Sequence, residues 1–210
     1  MYYALKFLAL AVTLIFTRFK MVGRQNVPRK GPIIVVANHL SSADPVLLGI
    51  KLGRRVVFMA KEELFRNWFS SYFVRQFGAF PVYRSGPDRS ALHRANRILQ
   101  KGHALGMFPE GKRSAGEGMN QASLGSALIA YHNRVPILPV GITGSEKIRG
   151  LAWIWHRPQI TINIGVPFSL PASGHSLSRQ QLVEFTEITM NHISELLPEK
   201  YQGQYSKRQN

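Results

Sequence analysis

Apolar residues fall into two kinds of segment from Lys20 onward, and Gly or Pro separates most of these segments. Short continuous apolar runs predict buried strands, which would cover residues 33–38, 56–60, 80–83, 104–108, 136–141 and 158–166. Segments whose apolar residues recur at helical spacing predict helices, which would cover residues 45–52, 64–77, 89–100, 124–132 and 178–197. Strands that alternate with helices predict an α/β fold, a single domain with a mixed, largely parallel sheet covered by helices.

The first 17 residues differ from the rest because Lys6 is their only charged residue and most of the others are apolar. As a helix they would be about 26 Å long, slightly less than the ~30 Å core of a bilayer. Cations follow this run and no acidic residue precedes Asp44; the first cations are Arg18, Lys20, Arg24, Arg29 and Lys30. The pattern predicts a membrane-associating helix over residues 1–19 that anchors the protein at the cytoplasmic face of the membrane. The alternative is an amphipathic helix packed on the domain.

Length and composition fit one globular domain. The chain has 210 residues, of which 45% are hydrophobic and 18% are charged, so that a sizeable core can form. Residues 20–198 contain every strand and helix predicted above, while the polar residues 199–210 are predicted to be a frayed tail. The absence of cysteine excludes disulfides, thiolate nucleophiles and thiolate metal sites.

The charge balance indicates an anionic partner. The chain has 27 Lys and Arg against 11 Asp and Glu, which gives a formal net charge of +16. Nucleic acid, an anionic lipid surface and a phosphorylated substrate are all compatible with this surplus. A nucleic-acid-binding protein is the distant alternative, because the basic residues are spread along the chain instead of forming a recognised nucleic-acid-binding pattern.

A histidine and an aspartate are separated by four residues where the first predicted strand gives way to a helix. The sequence from Asn38 to Asp44 has the spacing H-x4-D, and the chain contains only one other aspartate, Asp88. An imidazole held by a carboxylate is a general base, because the carboxylate fixes the tautomer and stabilises the imidazolium. The alternative is structural: Asp44 before Pro45 would cap a helix, and His39 would be a buried histidine.

A basic turn follows the strand at residues 104–108. Gly106-x4-Gly111-Lys112 imitates a phosphate-binding loop, but Arg113 stands where such loops have Ser or Thr, which excludes nucleotide binding here. The residue types suit recognition of a hydroxyl by Glu110 and of a phosphate by the cations behind it. A solvated basic turn is the alternative.

Two further cations and one apolar strand complete the candidates. Lys61 follows the second predicted strand, and Arg84 follows a short strand where it could contact a phosphate, although an exposed arginine is the common alternative. The strand bracketed by Pro136 and Pro139 would pack in the core or line a pocket for an aliphatic chain. No G-x-S-x-G, H-E-x-x-H or G-x-G-x-x-G pattern is present, so a serine hydrolase, a zinc hydrolase and a dinucleotide-binding protein have no support.

Taken together, these blocks resemble the motifs of the glycerolipid acyltransferases, specifically the 1-acylglycerol-3-phosphate acyltransferases. The four blocks, in family order, are Asn38-His39-x4-Asp44, Gly78 to Arg84, Phe108-Pro109-Glu110-Gly111-x-Arg113-Ser114 and Val135-Pro136-x-x-Pro139-Val140. The resemblance covers about residues 20–166 and so makes residues 20–198 the catalytic domain.

The resemblance implies transfer of a fatty acyl group from acyl-CoA or acyl-carrier protein to the sn-2 hydroxyl of 1-acyl-sn-glycerol-3-phosphate, giving phosphatidic acid. It implies that His39 is the base and that Asp44 orients it. The residues that it places at the substrates are Asn38, Lys61, Arg84, Glu110, Gly111, Arg113 and Ser114. No metal or other cofactor is expected. The alternative is an acyltransferase that acts on another lysolipid or on glycerol-3-phosphate.

With no cysteine or activated serine in the sequence, no residue is evident that would carry the acyl group. We therefore expect both substrates to bind together and the hydroxyl to attack the thioester directly. The expected partners are lysophosphatidic acid, the acyl thioester, an anionic membrane surface and, if it is the donor, acyl-carrier protein.

Overall fold

Seven strands form a single sheet at the centre of the protein. The computed structural model describes residues 11–13, 15–83, 88–114, 118–150, 152–171 and 177–206. The strands are β1 (Arg18–Val22), β2 (Ile33–Ala37), β3 (Val56–Lys61), β4 (Phe80–Val82), β5 (Ala104–Met107), β6 (Ile137–Thr143) and β7 (Gln159–Ile164). The α-helices between and after them are α1 (Asp44–Lys51), α2 (Trp68–Gln76), α3 (Arg89–Gln100), α4 (Gly125–Asn133), α5 (Trp153–His156), α6 (Arg179–Ser194) and α7 (Glu199–Gln202).

The direction of the strands decides where the loops meet. The strand order is β1-β7-β6-β2-β5-β3-β4, and the five strands from β6 to β4 are mutually parallel. Strand β7 runs antiparallel to β6, and β1 is parallel to β7. We call the edge at which β2 to β6 end the carboxyl edge. Since β1 and β7 run the other way, they begin at this same edge.

The centre of the sheet is covered on both faces. Every residue of β2 is buried, and because successive side chains point to opposite faces they join two different clusters. Ile34 and Val36 pack with residues of α3, α4 and α6, whereas Ile33 and Val35 pack with residues of α1. A central strand buried on both faces requires a continuous apolar sequence, and IIVVA is one.

The predicted fold class is confirmed: one α/β domain with a mixed, mostly parallel sheet flanked by helices. The predicted helix at residues 89–100 has the bounds of α3. The predicted helix at residues 64–77 is instead a 3-10 turn at Glu62–Phe65 followed by the shorter α2.

Strand β1 was not predicted, because the apolar segment 1–19 was assigned to a helix as far as Phe19. The prediction was wrong at its end, since Arg18 and Phe19 lie in β1 and pair with Gln159 and Ile160 of β7. Of this segment, residues 1–10 and 14 lie outside the described part of the chain. Within that part, no helix is long and apolar enough to cross a bilayer.

The predicted frayed tail was wrong for the residues up to 206. Tyr201 in α7 is buried, its hydroxyl donates to Glu146 Oε1 at 2.9 Å, and its carbonyl accepts from the Met119 amide at 3.0 Å. Burial, together with the hydrogen bond and charge of Glu146, raises the pKa of Tyr201 to about 12. These partners are distant in sequence, so local polarity gave no indication of the packing.

Candidate active site

The loops that carry the sequence motifs meet at the carboxyl edge. His39 follows β2, the basic turn follows β5, Lys61 ends β3, and Tyr83 follows β4. Parallel strands end at a common edge, and this edge is where open α/β sheets place their ligand sites. The sheet therefore brings together residues that are far apart in sequence, such as His39 and Ser114, which are 75 positions apart.

His39 and Asp44 form the predicted pair. The distance between His39 Nδ1 and Asp44 Oδ2 is 2.9 Å, and the Asp44 side chain is completely buried. The same oxygen accepts from the backbone amides of Leu40 and Ser41, each at 2.8 Å. An ionised carboxylate only accepts, so Nδ1 carries the proton and Nε2 keeps a lone pair. The carboxylate faces back into the loop, which contradicts the alternative that Asp44 caps α1.

An aromatic stack fixes the plane of the imidazole. The ring centroids of His39 and Phe108 lie 4.2 Å apart at an angle of 22°, and Phe108 in turn lies 5.9 Å from Phe58. Gly106 packs against this stack so closely that a Cβ at its position would overlap the ring of Phe58. Gly106, the first glycine of the pattern that resembled a phosphate-binding loop, is therefore required by packing.

The turn after β5 holds the backbone of His39 at both its amide and its carbonyl. The His39 amide donates to Glu110 Oε1 at 2.9 Å, and the His39 carbonyl accepts from the Ser114 amide at 2.8 Å. Gly111 adopts φ +67°, which lets the turn fold back so that its amide bonds the Phe108 carbonyl. Glu110, Gly111 and Ser114 therefore shape the loop that supports His39.

Glu110 does not present a free oxygen to a hydroxyl, as the sequence had led us to expect. Its side chain is buried, and its second oxygen accepts from both the amide and the side chain of Asn120, at 2.7 and 3.0 Å. Burial raises the pKa of Glu110, although hydrogen bonds from Asn120 and His39 oppose that change. Asn120 lies in no motif, so sequence reasoning missed it.

Asn38 is a second correction. Its amide oxygen accepts from the Ile142 amide at 2.7 Å and its amide nitrogen donates to the Ile142 carbonyl at 2.8 Å. The side chain thus extends the pairing of β2 with β6, and it is only 1% exposed. The resemblance had implied contact with a substrate, but both polar groups of Asn38 are used within the protein.

Exposed cations lie at the same edge of the sheet as the pair. Arg113 is exposed and its Nη1 donates to Ser42 Oγ in the H-x4-D loop at 2.8 Å. Beside that contact lies a cavity of about 240 Å³, which Arg113, Ser42, Glu146 and Arg149 help to line. Lys61 is also exposed, as a residue that contacts a substrate must be.

Arg84 lies outside the described residues, but Asp88 contacts described residues on both sides of segment 84–87. Asp88 Oδ2 accepts from the Tyr83 amide at 2.8 Å, and Oδ1 accepts from the Ala91 amide at 2.9 Å. Burial acts to raise the pKa of Asp88, but hydrogen bonds from Tyr83, Ala91 and Ser90 outweigh it and lower that pKa. Sequence reasoning did not give Asp88 a role. Its position just before a predicted helix was the available signal.

Comparisons with known proteins identify the family of this chain. The family model described as Acyltransferase matches residues 18–143, which is more than half of the chain and includes β1 to β6. The chain belongs to the acyltransferase family.

Relatives of this acyltransferase include the 1-acyl-sn-glycerol-3-phosphate acyltransferase of Bacillus subtilis, which is 27% identical over 84% of this chain and 87% of that one. The Streptococcus pneumoniae protein of the same name is 36% identical over 65% of this chain, a match that spans only half of the Streptococcus protein. Among solved structures, the 1-acyl-sn-glycerophosphate acyltransferase PlsC of Thermotoga maritima superposes with a TM-score of 0.68 and 28% identity. That match covers 93% of this chain and 79% of the other.

The site of this acyltransferase combines a held imidazole with Arg113, an exposed cation that contacts Ser42 in the H-x4-D loop. Among the described residues, no group of three or more His, Cys, Asp or Glu side chains could hold a metal ion. Asp44 fixes the tautomer of His39, Phe108 fixes its plane, and Glu110 with Ser114 fixes its backbone. The arrangement can accept a proton at Nε2 beside positive charge.

Proposed function

We propose that this protein transfers a fatty acyl group from a thioester to the sn-2 hydroxyl of 1-acyl-sn-glycerol-3-phosphate and so forms phosphatidic acid. The observation that carries the proposal is the 2.9 Å hydrogen bond from His39 Nδ1 to the buried Asp44, which leaves Nε2 as a base. The names of the relatives support this acceptor.

The reaction needs one proton acceptor and one tetrahedral intermediate. His39 Nε2 removes the hydroxyl proton while the oxygen attacks the thioester carbonyl, and Asp44 stabilises the imidazolium that forms. The intermediate then expels the thiolate, the C–S bond breaks, and the proton moves from the imidazolium to the sulfur. The new C–O ester bond remains on the acceptor. General-base help of this kind contributes about 10²–10⁴-fold.

The acceptor phosphate is assigned to the exposed cations. Arg113 is our first choice, because its contact with Ser42 puts a planar, permanently charged group beside the H-x4-D loop. Lys61 ends a neighbouring strand at the same edge, and Arg84 follows β4 in sequence. A bidentate guanidinium contact to phosphate would also align the hydroxyl with His39.

The donor is proposed to be acyl-CoA or acyl-carrier protein, with direct transfer and no acyl-enzyme, metal or prosthetic group. Both donors carry phosphates, which suits a chain of net charge +16. We also propose that the protein works at the cytoplasmic face of a membrane, where its lipid substrates reside.

The test is acyl transfer by the purified full chain to lysophosphatidic acid, with acyl-CoA and acyl-carrier protein offered separately. His39→Ala should lower turnover by about 10²–10⁴-fold. His93→Ala is the matched control, because His93 is exposed on α3, and it should keep wild-type turnover. No product from folded wild type would refute this acceptor, and the same assay with other lysolipids and glycerol-3-phosphate would then identify the true one. Near-normal turnover by His39→Ala would refute the role of His39 as the general base.

A further inference from the structure

A second cavity, of about 540 Å³, lies at the carboxyl edge and shares only Arg149 with the cavity beside the H-x4-D loop. It is formed where the connection from β6 to β7 passes the start of β1, and the residues that line it include Arg18, Lys147, Arg149, Trp153, His156 and Arg157. Four of these side chains carry a permanent positive charge. No acidic residue lines the cavity, and none of its cations forms an ion pair with a described residue.

The strand pairing explains this concentration of charge. Two long stretches of the sequence contain no Asp or Glu, residues 1–43 and residues 147–183. They meet because β1 pairs with β7, with Arg18 opposite Gln159 at the cavity. Like charges held this close repel one another, so a bound anion would stabilise the arrangement.

Arg157 contributes its charge to the cavity from a backbone conformation that is unfavourable for a residue other than glycine. It ends α5 with φ 41° and ψ 64°, a left-handed conformation that glycine adopts far more readily. Among the described residues, only Arg134 is another non-glycine residue with positive φ. Glycine would fit the backbone of position 157 better, but it would remove the charge from the cavity.

The surroundings of the cavity favour a lipid as the source of the anion. Trp155, in the same short helix, is 86% exposed, and Ile15 is 58% exposed just before β1. The rings of Phe16 and Trp153 meet edge to face with centroids 6.3 Å apart, so the segment that ends at Phe16 lies against α5. Exposed tryptophan beside Lys and Arg is typical of a surface that rests at the interface of a bilayer.

We propose that this cavity binds the phosphate of an anionic phospholipid headgroup in the membrane surface, separately from the acyl acceptor at His39. We call it the headgroup site. It rests on the proposal that the protein works at a membrane, but it does not depend on which acceptor is acylated. Trp155 would enter the interface while Lys147, Arg149 and Arg157 contact the phosphate.

The experiment measures binding of the full chain to vesicles of phosphatidylcholine, with and without about a third of phosphatidylglycerol. The test variant is Lys147→Gln with Arg157→Gly, where glycine suits the left-handed backbone. The control is Arg94→Gln with Arg97→Gln, which removes the same charge from exposed positions of α3. Since each basic residue near an anionic surface contributes about fivefold, the test variant should bind the anionic vesicles roughly tenfold more weakly or worse.

The control should stay within about twofold of wild type, and binding to neutral vesicles should not change in either variant. Acyl transfer in detergent should also be unchanged in the test variant. No acyl transfer by wild type would refute the proposed reaction alone and leave the vesicle result standing. Failure of wild type to bind any vesicle would refute the membrane proposal and the headgroup site together.

Three other outcomes would overturn the headgroup site alone. Equal losses in test and control variants would show only a general effect of net charge. Inorganic phosphate that binds to wild type and not to the test variant, while the two bind anionic vesicles equally, would show a site for small anions only. A loss of binding to acyl-carrier protein without a loss on vesicles would make the cavity a protein-docking site.

Discussion

The backbone amide of His39 donates a hydrogen bond of 2.9 Å to Glu110 Oε1, across 71 positions of sequence. This bond joins the loop after β2 to the loop after β5. It makes Glu110 a positioning residue, because the carboxylate acts through the backbone of His39 and has no free oxygen for a substrate. A glutamine at this position would place its own N–H group opposite one of the N–H donors from which the carboxylate now accepts a hydrogen bond.

Glu110→Gln should therefore lower kcat more than it changes KM. A misplacement of about 1 Å at the reacting group can cost about 100-fold, so we expect a loss of roughly ten- to 100-fold in kcat with KM within about threefold. An unsatisfied buried donor should also lower the free energy of unfolding by about 1–3 kcal/mol. Glu63→Gln is the control, because Glu63 is exposed. A fall in stability with unchanged kcat would leave Glu110 a purely structural residue.

The raised pKa of Glu110 predicts the pH dependence of stability. Burial raises this pKa in the folded protein above its usual range, so the folded state binds the proton at higher pH than the unfolded state does. The contribution of Glu110 to the free energy of unfolding is then greatest at acid pH, and it falls as pH rises from about 4.3 through the raised pKa. Denaturant unfolding at several pH values should show this slope in wild type and not in Glu110→Gln. Parallel curves would contradict it.

Asp44→Asn should inactivate the protein without preventing folding. The asparagine oxygen can still accept from His39 Nδ1, Leu40 and Ser41, but the negative charge that stabilises the imidazolium is lost. We expect kcat to fall by about 10²–10⁴-fold with little change in KM. Steady-state kinetics on the folded variant measure this. A variant with normal kcat would remove Asp44 from the mechanism.

Arg113→Gln should weaken binding of the phosphorylated acceptor. Arg113 is exposed at the H-x4-D loop, and loss of a charge-assisted hydrogen bond costs about 1.5–3 kcal/mol, which corresponds to roughly ten- to 100-fold in KM for the acceptor. Lys112→Gln removes the same charge one residue away, also at an exposed position, and should change that KM by less than about threefold. Equal effects of the two variants would indicate long-range attraction instead of direct contact.

Gly106→Ala should disturb the stack under His39. The added Cβ would overlap the Phe58 ring and lie 2.9 Å from Val56 Cγ1, and neither side chain can retreat because both are buried. Overpacking of this kind costs about 1–3 kcal/mol of stability, and displacement of Phe58 would pass through Phe108 to the imidazole. Gly49→Ala in α1 is the control, since a Cβ there meets nothing within 4 Å. A stable Gly106→Ala variant with wild-type kcat would show that the stack does not position His39.

Asp88→Ala should affect stability and acceptor binding together. Loss of the cap of α3 costs about 1 kcal/mol, and the loop that carries Arg84 loses the contact that joins its two ends. Ser90→Ala removes one of the hydrogen bonds to Asp88 but leaves those from Tyr83 and Ala91, so it serves as the control. We expect a raised KM for the acceptor in Asp88→Ala alone. Equal KM values in both variants would show that Asp88 has no effect on acceptor binding.

The sequence predicted elements well where local pattern decides them. Helix α3 has a clear apolar face, and β2 is a continuous apolar run, so both were predicted close to their observed bounds. Strand β1 alternates exposed and half-buried residues and owes its existence to pairing with β7, about 140 residues later in the chain, which no local pattern reveals.

The distinction between local and long-range contacts also explains which parts of the site could be predicted. The His39–Asp44 hydrogen bond could be predicted because its partners are close in sequence, whereas its catalytic role stays a prediction. The roles of Asn38 and Glu110 could not be predicted, since their partners Ile142, His39 and Asn120 are brought to them only by the sheet and its loops. The resemblance placed both residues at the substrates, and the residue type of Glu110 also favoured contact with a hydroxyl.

The Asn38 side chain continues the pairing between β2 and β6 past their last backbone partners, Ala37 and Val140. Its hydrogen bonds with Ile142 lie in the most buried part of the sheet, which is the region of a domain that opens last. The residue next to His39 is therefore released only when the whole domain unfolds. We therefore expect heat to disrupt the anchor of His39 at the same temperatures as the central sheet.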